Sequence, residues 1–376
     1  MRARVRDGSS GGSSEGPSDG AGRLALPGLS VGPGWIVTAR SYFADRVVPA
    51  CETIRCPPVS LPEATLAYAL GPATLPARPM GRLRRRLARL RPAAAPHAVP
   101  AGRIAIDLRR HAPENWAHFL NNHLPLTFRL AEALGLSPEQ ARARLLGVVP
   151  EAAPGYLRGA AALFGLELLA TDGAVAAGGG SGGEVLSFSI EPWHAQRAAR
   201  HLWVRAPWPR GALGRLAAEA PGAPLPRRIL LSRRDTRRLS NLAEVEAVLA
   251  PRGYATVHAE DFSPADQMRL ICGAEEVAAV HGAGLAPLLY AGLADGLPGP
   301  RRLIELMPCG HMTDVYRVMA AQVGCAWIGV RGRIKPEYVR PAYDLAAPFR
   351  AHSLDDFEID PEALRLAFDL IAQDPT

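Results

Sequence analysis

The chain has 376 residues, 48% of them hydrophobic, and a formal charge of +7, a composition that fits a globular protein of two domains. No run of eighteen or more apolar residues occurs, so no transmembrane helix is expected. The charge is almost all arginine, Lys335 being the single lysine, and aromatics are 6%, too sparse for the interleaved stacking of single-strand binders, so no nucleic-acid partner is expected.

Residues 1–30 are rich in Gly, Ser and charge and lack the apolar core of a signal peptide, so they are expected to form a disordered tail. Gly34 to Val37 reads as an early strand. Residues 49–80 carry prolines at 49, 57, 58, 62, 72, 76 and 79 and read as irregular. In residues 82–91, Leu83, Leu87 and Leu90 share one helical face among six arginines. The spacing predicts a short basic amphipathic helix, either a solvated surface or a contact with anionic lipid or lipid-linked glycan at the inner membrane face. Arg103 to Leu108 reads as a strand. The segment Asn115-Trp116-Ala117-His118-Phe119-Leu120-Asn121-Asn122-His123 opens a helix running to Leu134. Its amides and imidazoles beside Trp and Phe suit either a capped helix start or contacts with a sugar. Further strands are expected at 144–149, 166–170 and 185–190. The glycine run 178–183 is a loop, without the Lys-Ser/Thr of a phosphate loop. The proline-rich stretch 207–226 places a domain boundary near 220.

The second half alternates strand and helix. Strands are expected at 228–232, 254–257, 277–280, 302–307 and 326–330. Helices are expected from Asn241, with Glu244 completing a variant capping box, from Ser263-Pro264, over 285–291 and over 313–323. This is the pattern of a parallel sheet covered on both faces, which binds its ligand at the carboxyl ends of the strands. Pro361 to Ala372 is expected to form a last helix. The expected domains are 31–220, 221–345 and a C-terminal segment 346–376 packing back on the first. Five scattered cysteines, at 51, 56, 272, 309 and 325, show no zinc-ligand spacing. No metal or other cofactor is expected, and a reduced cytoplasm fits the set.

Three motifs carry the chemistry: SRRDTRRLSN at 232–241, HGAGL at 281–285, and LIEL at 303–306, followed by Tyr316 and Ala320 in a Y-x-x-x-A spacing. With Asn115-Trp116-Ala117-His118-Phe119-Leu120 upstream, their order resembles glycosyltransferase family 61, the capsular-polysaccharide biosynthesis type (DUF563). The resemblance spans 228–330 and 103–130. It implies an α/β protein of the GT-B type, two Rossmann-like domains facing across a cleft, with the nucleotide-sugar held mainly by the C-terminal one. It also implies inverting transfer without a required metal.

Read from the residues themselves, Arg233 and Arg238 are the expected diphosphate clamps, because guanidinium pairs bidentately with phosphate. Arg234 and Arg237 are expected at the surface. Asn241 reads as a helix cap that also touches the nucleotide. His281 is expected to donate to a phosphate oxygen, and Gly282, Ala283, Gly284 and Leu285 to supply backbone donors. Glu305 reads either as the acceptor for the ribose hydroxyls or as a buried structural acid. Transfer also needs a base for the acceptor hydroxyl. The candidates are His118 first, because imidazole titrates near neutrality, then Asp107 and Glu114. Asn115, Trp116 and Asn122 are expected on the acceptor side. Family members often carry an acid four residues after the matching histidine, where this chain has Asn122. The expected function is transfer of a sugar from a nucleotide-sugar to a surface or capsular glycan, in the cytoplasm, with peripheral contact at the inner membrane surface. The alternatives are a nucleotide-sugar epimerase on the same fold and a non-catalytic nucleotide- or glycan-binding subunit.

Overall fold

The apolar runs of the second half assemble into one sheet because each is buried on both faces and needs a neighbour along each edge. The computed structural model describes residues 4–5, 21–43, 46–48, 50–71, 73–77, 95–110, 112–178, 182–188, 201–219, 224–334 and 353–373. The predicted basic helix at 82–91 lies outside these residues, as does most of the predicted tail. In the seven-stranded sheet the order is Ala255–His258, Arg228–Ser232, Glu276–Val280, Arg302–Met307, Ala326–Arg331, Gly34–Val37 and Thr53–Cys56. All neighbours are parallel except the last pair. The parallel strands end together, at Ser232, Val280 and Met307, so the polar residues that follow each of them gather at one edge of the sheet.

A second sheet has six strands in the order Glu167–Ala170, Leu145–Val149, Ile104–Asp107, Glu184–Phe188, Ala64–Gly71 and Ala21–Leu26. The first three pairings are parallel and the last two antiparallel. The chain is therefore mixed α/β. It divides into two compact units, one built from Leu29–Leu61 and Leu213–Thr376, the other from Pro62–Ala212 with the strand Ala21–Leu26.

This division differs from the expected one in three places. Residues 29–61 belong with the second half, because Gly34–Val37 pairs in parallel with Ala326–Arg331 and buries Val37 in the same core as Val330. Within the expected irregular stretch 49–80, the prolines at 57, 58 and 62 lie between strands Thr53–Cys56, Val59–Leu61 and Ala64–Gly71 rather than inside them. In the last of these, Leu66 and Tyr68 alternate with exposed Thr65 and Ala67, the period of a half-buried strand. The expected tail also contributes a strand, Ala21–Leu26, in which Leu24 is fully buried.

The last helix, Pro361–Gln373, packs on the helix Leu242–Leu249 and on the strands Ala326–Arg331 and Gly34–Val37, all in the unit of the second half. Of the expected first domain, 31–220, it meets the strand Gly34–Val37, which lies in this unit. Its inward Ala363, Leu364 and Ala367 join Phe357, Ile359, Val245 and Val248 in one core. Fully burying a side chain the size of Leu364 stabilises by about 1.5–3 kcal/mol. Asp360 fastens the start of this helix: it accepts from Arg40 Nε at 2.7 Å and Nη2 at 2.8 Å, and from the backbone N–H of Glu362 at 3.0 Å.

Candidate functional site

The loop after strand Arg228–Ser232 carries four arginines, and their partners divide them into two pairs. Arg234 holds Asp261 at 2.5 and 2.7 Å, and Arg238 holds Asp356 at 2.9 and 2.6 Å; both are exposed ion pairs. Arg233 and Arg237 turn inward and meet only neutral oxygens. Arg233 donates to the carbonyl and the hydroxyl of Thr236 at 2.9 and 3.1 Å. Arg237 donates to the carbonyls of Ser353 at 2.6 Å and His281 at 3.3 Å. Neither forms an ion pair among the described residues. Burial first, and then the neighbouring charge of Arg233, lower the basicity of Arg237 from the ordinary arginine value. It remains a cation, since arginine does not deprotonate in proteins.

Two guanidinium groups held close without a carboxylate repel each other, and an anion between them removes that cost. The expected pair is thus changed on one side: Arg233 turns inward, but the second inward guanidinium is Arg237, and Arg238 is occupied by Asp356. Arg237 reaches inward through a left-handed backbone, φ +57°. A non-glycine residue pays about 1–2 kcal/mol for that conformation, so other contacts must hold it. The segment before the last helix does so. Arg237 N–H donates to Leu354 O at 3.1 Å, Leu239 bridges in parallel to Phe357, and Ser240 N–H donates to Phe357 O at 2.9 Å.

Asn241 completes this strap. Its side chain donates to Ile359 O at 2.8 Å, accepts from Ile359 N–H at 3.1 Å, and donates to Glu244 at 3.0 Å. It forms no side-chain cap bond on the helix it precedes, so its amide serves the C-terminal segment instead of the expected helix cap.

The HGAGL turn follows strand Glu276–Val280 and packs beside these arginines. A side chain at Gly282 would begin 2.0 Å from Arg233 Nη1, and one at Gly284 would begin 2.9 Å from Leu231 Cδ2. Glycine at 282 thus leaves the space that the Arg233 guanidinium fills, and a side chain there would displace it. Residues Ala283–Tyr290 form a 3₁₀ helix whose first bond runs from Leu285 N–H to Gly282 O at 3.1 Å. The N–H groups of Ala283 and Gly284 precede that bond, whereas Leu285, fully buried, has spent its donor; its expected donor role is corrected. Tyr316 pins the turn, donating to Gly282 O at 2.6 Å.

His281 is 4% exposed, and its Nδ1 meets Glu305 Oε1 at 2.5 Å. The other carboxylate oxygen accepts from Trp327 Nε1 at 2.6 Å. Glu305 is fully buried with both oxygens engaged. Of its two readings, the buried structural acid describes the geometry, and the ribose acceptor is corrected. Trp327, invisible to motif reading, is the residue that fixes the carboxylate. His311 lies with its ring 5.1 Å from that of His281. Burial first, then the charges of Arg237 and His281, push its imidazole down to about 4, so it is neutral at neutral pH. The hydroxyls of Ser232, just before Arg233, and Thr313, two residues after His311, are buried without a hydrogen-bond partner among the described residues.

The other unit holds the remaining candidates. Asn115 caps the helix, its side chain accepting from Ala117 N–H at 2.9 Å and His118 N–H at 3.2 Å. Trp116 is buried edge-on to Tyr156, ring centroids 5.9 Å apart. His118 is half-buried at the junction with a π-helical turn, Phe119–His123, which continues into the helix Leu124–Ala133. Asn122 is buried within that turn. Such turns often sit at functional sites. Glu114 is exposed, and its carbonyl accepts from Tyr156 at 2.5 Å. Asp107 is taken by Arg109, accepting from Nε at 2.9 Å and Nη2 at 3.1 Å. Arg109 is 2% exposed and also donates to Gly173 O and Pro76 O. An acid so held is a structural counter-charge, and its expectation as a base is corrected.

Over residues 116–294 the chain matches the family model described as Glycosyltransferase 61. That span starts at Trp116 and takes in the arginine loop and the HGAGL turn. No curated protein matches the chain.

Proposed function

We propose that this chain, whose residues 116–294 match the glycosyltransferase 61 family model, moves a sugar from a nucleotide-sugar to a surface or capsular glycan acceptor. One observation carries the donor assignment: Arg233 and Arg237 converge beside the HGAG turn with neutral oxygens as their only hydrogen-bond partners among the described residues. A diphosphate supplies the charge this pair lacks. The N–H groups of Ala283 and Gly284 add donors at the start of their helix. Two fixed guanidiniums can stabilise the departing nucleoside diphosphate as negative charge develops on it, the role a metal plays elsewhere. The reading is therefore metal-independent, inverting transfer on a GT-B type arrangement.

In the transfer step the acceptor hydroxyl attacks the anomeric carbon and gives its proton to a base, while the bond to the diphosphate breaks. His118 is the proposed base, supported by a backbone that Asn115 and the buried Trp116 hold in place. Asn115, Trp116 and Asn122 remain the proposed acceptor-side set, and Glu114 remains a candidate base. We place the protein in the cytoplasm, with peripheral contact at the inner membrane surface.

The test is release of nucleoside diphosphate from a panel of nucleotide-sugars, with a glycan extract present or absent. Acceptor-dependent release that His118→Ala lowers by about a hundredfold or more supports the reading, since general-base catalysis is worth about that much or more. Release of equal rate with and without acceptor, or none from any donor that binds, contradicts it.

A further inference from the structure

The proposed function uses the arginines and leaves the buried pair His281 and Glu305 without a task. Glu305 accepts two hydrogen bonds, from Trp327 on one oxygen and His281 Nδ1 on the other. A carboxylate so placed fixes the proton of His281 on Nδ1 and holds the ring still. The second ring nitrogen, Nε2, has no hydrogen-bond partner among the described residues. The backbone of the same residue is equally constrained: its N–H donates to Leu306 O at 2.9 Å, and its carbonyl accepts from Arg237. The ring is thus aimed by one carboxylate while its neighbours carry the anion site.

From this geometry we infer that His281 binds the diphosphate as an imidazolium, Nε2 donating to a phosphate oxygen and Glu305 serving as its buried counter-charge, so that donor binding takes up a proton. The inference rests on the nucleotide-sugar reading and goes beyond it by adding a linked proton and a positioning role for Glu305.

The charges around the ring explain why uptake accompanies binding. Facing His281 are Glu305 from the strand Arg302–Met307, Tyr316 from the helix Val315–Gln322, His311 from the preceding loop, and Arg237 from the arginine loop, with Arg233 against Gly282. Tyr316 is a phenol, held neutral by burial. His311 is neutral at neutral pH. One carboxylate therefore faces two arginines, so positive charge prevails around the ring before a ligand arrives. A bound diphosphate reverses that balance. When the sugar leaves, the electron pair of the broken bond passes to the phosphate oxygen, which the imidazolium hydrogen bond stabilises. The extra proton returns to solvent as the diphosphate dissociates.

Calorimetric titration decides it. Inorganic pyrophosphate and the uridine, cytidine, adenosine and guanosine diphosphates are titrated in buffers of low and high ionisation enthalpy, from about pH 6 to about pH 9. The wild type should take up as much as about one proton on binding, and affinity should weaken by up to about tenfold per pH unit across the window. His281→Asn, whose amide can still donate to Glu305, should bind without uptake. His311→Asn should keep it. Glu305→Gln, which removes the counter-charge, should move the window to lower pH and reads the linkage independently should His281→Asn fold poorly. Binding without uptake in the wild type, or uptake retained in His281→Asn, or lost only in His311→Asn, overturns the inference and leaves the nucleotide-sugar reading standing. Failure of every probe to bind overturns both.

Discussion

Arg109 and Arg237 are both drawn in from solvent, and their surroundings differ in a single respect. Arg109 meets Asp107 through two nitrogens and spends its remaining donors on the carbonyls of Gly173 and Pro76. Arg237 meets two carbonyls and a second arginine, and no acid among the described residues. The first is a closed account of charge that stabilises its own unit. The second lacks an acid among the described residues, and the proposed diphosphate would complete it. Burial of an arginine thus does not mark a binding site; the missing counter-charge does.

The largest effect should come from opening the closed pair. Asp107→Ala leaves the Arg109 guanidinium buried without its acid, and breaking a buried pair typically costs about 3–5 kcal/mol. Urea denaturation should show a loss of that order. A loss below about 1 kcal/mol would mean that Asp107 is not structural and return it to the list of bases.

Asp360 gives the acid side of the same lesson. Burial alone would raise its carboxyl, but the hydrogen bonds from Arg40 and Glu362 and the charge of Arg40 more than offset this and hold it at about 2. A depressed folded value means that the stabilisation is complete above the unfolded carboxylate range and is lost as pH falls toward 2. Thermal unfolding of the wild type should lose stability between about pH 4 and about pH 2. Asp360→Asn should start lower and fall less steeply there, and parallel curves for the two proteins would remove the assignment.

The smallest effect concerns the backbone of Arg237. Glycine tolerates φ +57° and alanine does not, so Arg237→Gly should be more stable than Arg237→Ala by about 1 kcal/mol, read from denaturant midpoints. Equal midpoints would mean that the left-handed turn is not held in solution.

Much of the sheet was legible because continuous apolar runs such as Val277 to Val280, closed by polar or glycine residues, leave few other solutions. The HGAGL turn was legible for the same reason, glycine leaving the space that Arg233 fills beside Gly282. What escaped was set by distant partners. The prolines near 57 and 62 look like breaks until the strands between them find their neighbours. Arg237 and Arg238 are equivalent in a motif, and a left-handed φ decides which faces inward. Glu305 looks free for a ribose until His281 and Trp327 are seen to take both oxygens. Asn241 reads as a cap until residue 359 arrives from the far end of the chain.

The central claim is that Arg237, and not Arg238, completes an anion site with Arg233. Titration of the tightest-binding nucleoside diphosphate into wild type, Arg237→Ala and Arg238→Ala tests it most directly. Losing a charged hydrogen bond costs about 1.5–3 kcal/mol, so Arg237→Ala should bind about ten- to a hundredfold more weakly, while Arg238→Ala, which loses only its exposed pair with Asp356, should match the wild type. Equal affinity in all three proteins, or a loss confined to Arg238→Ala, would contradict the account.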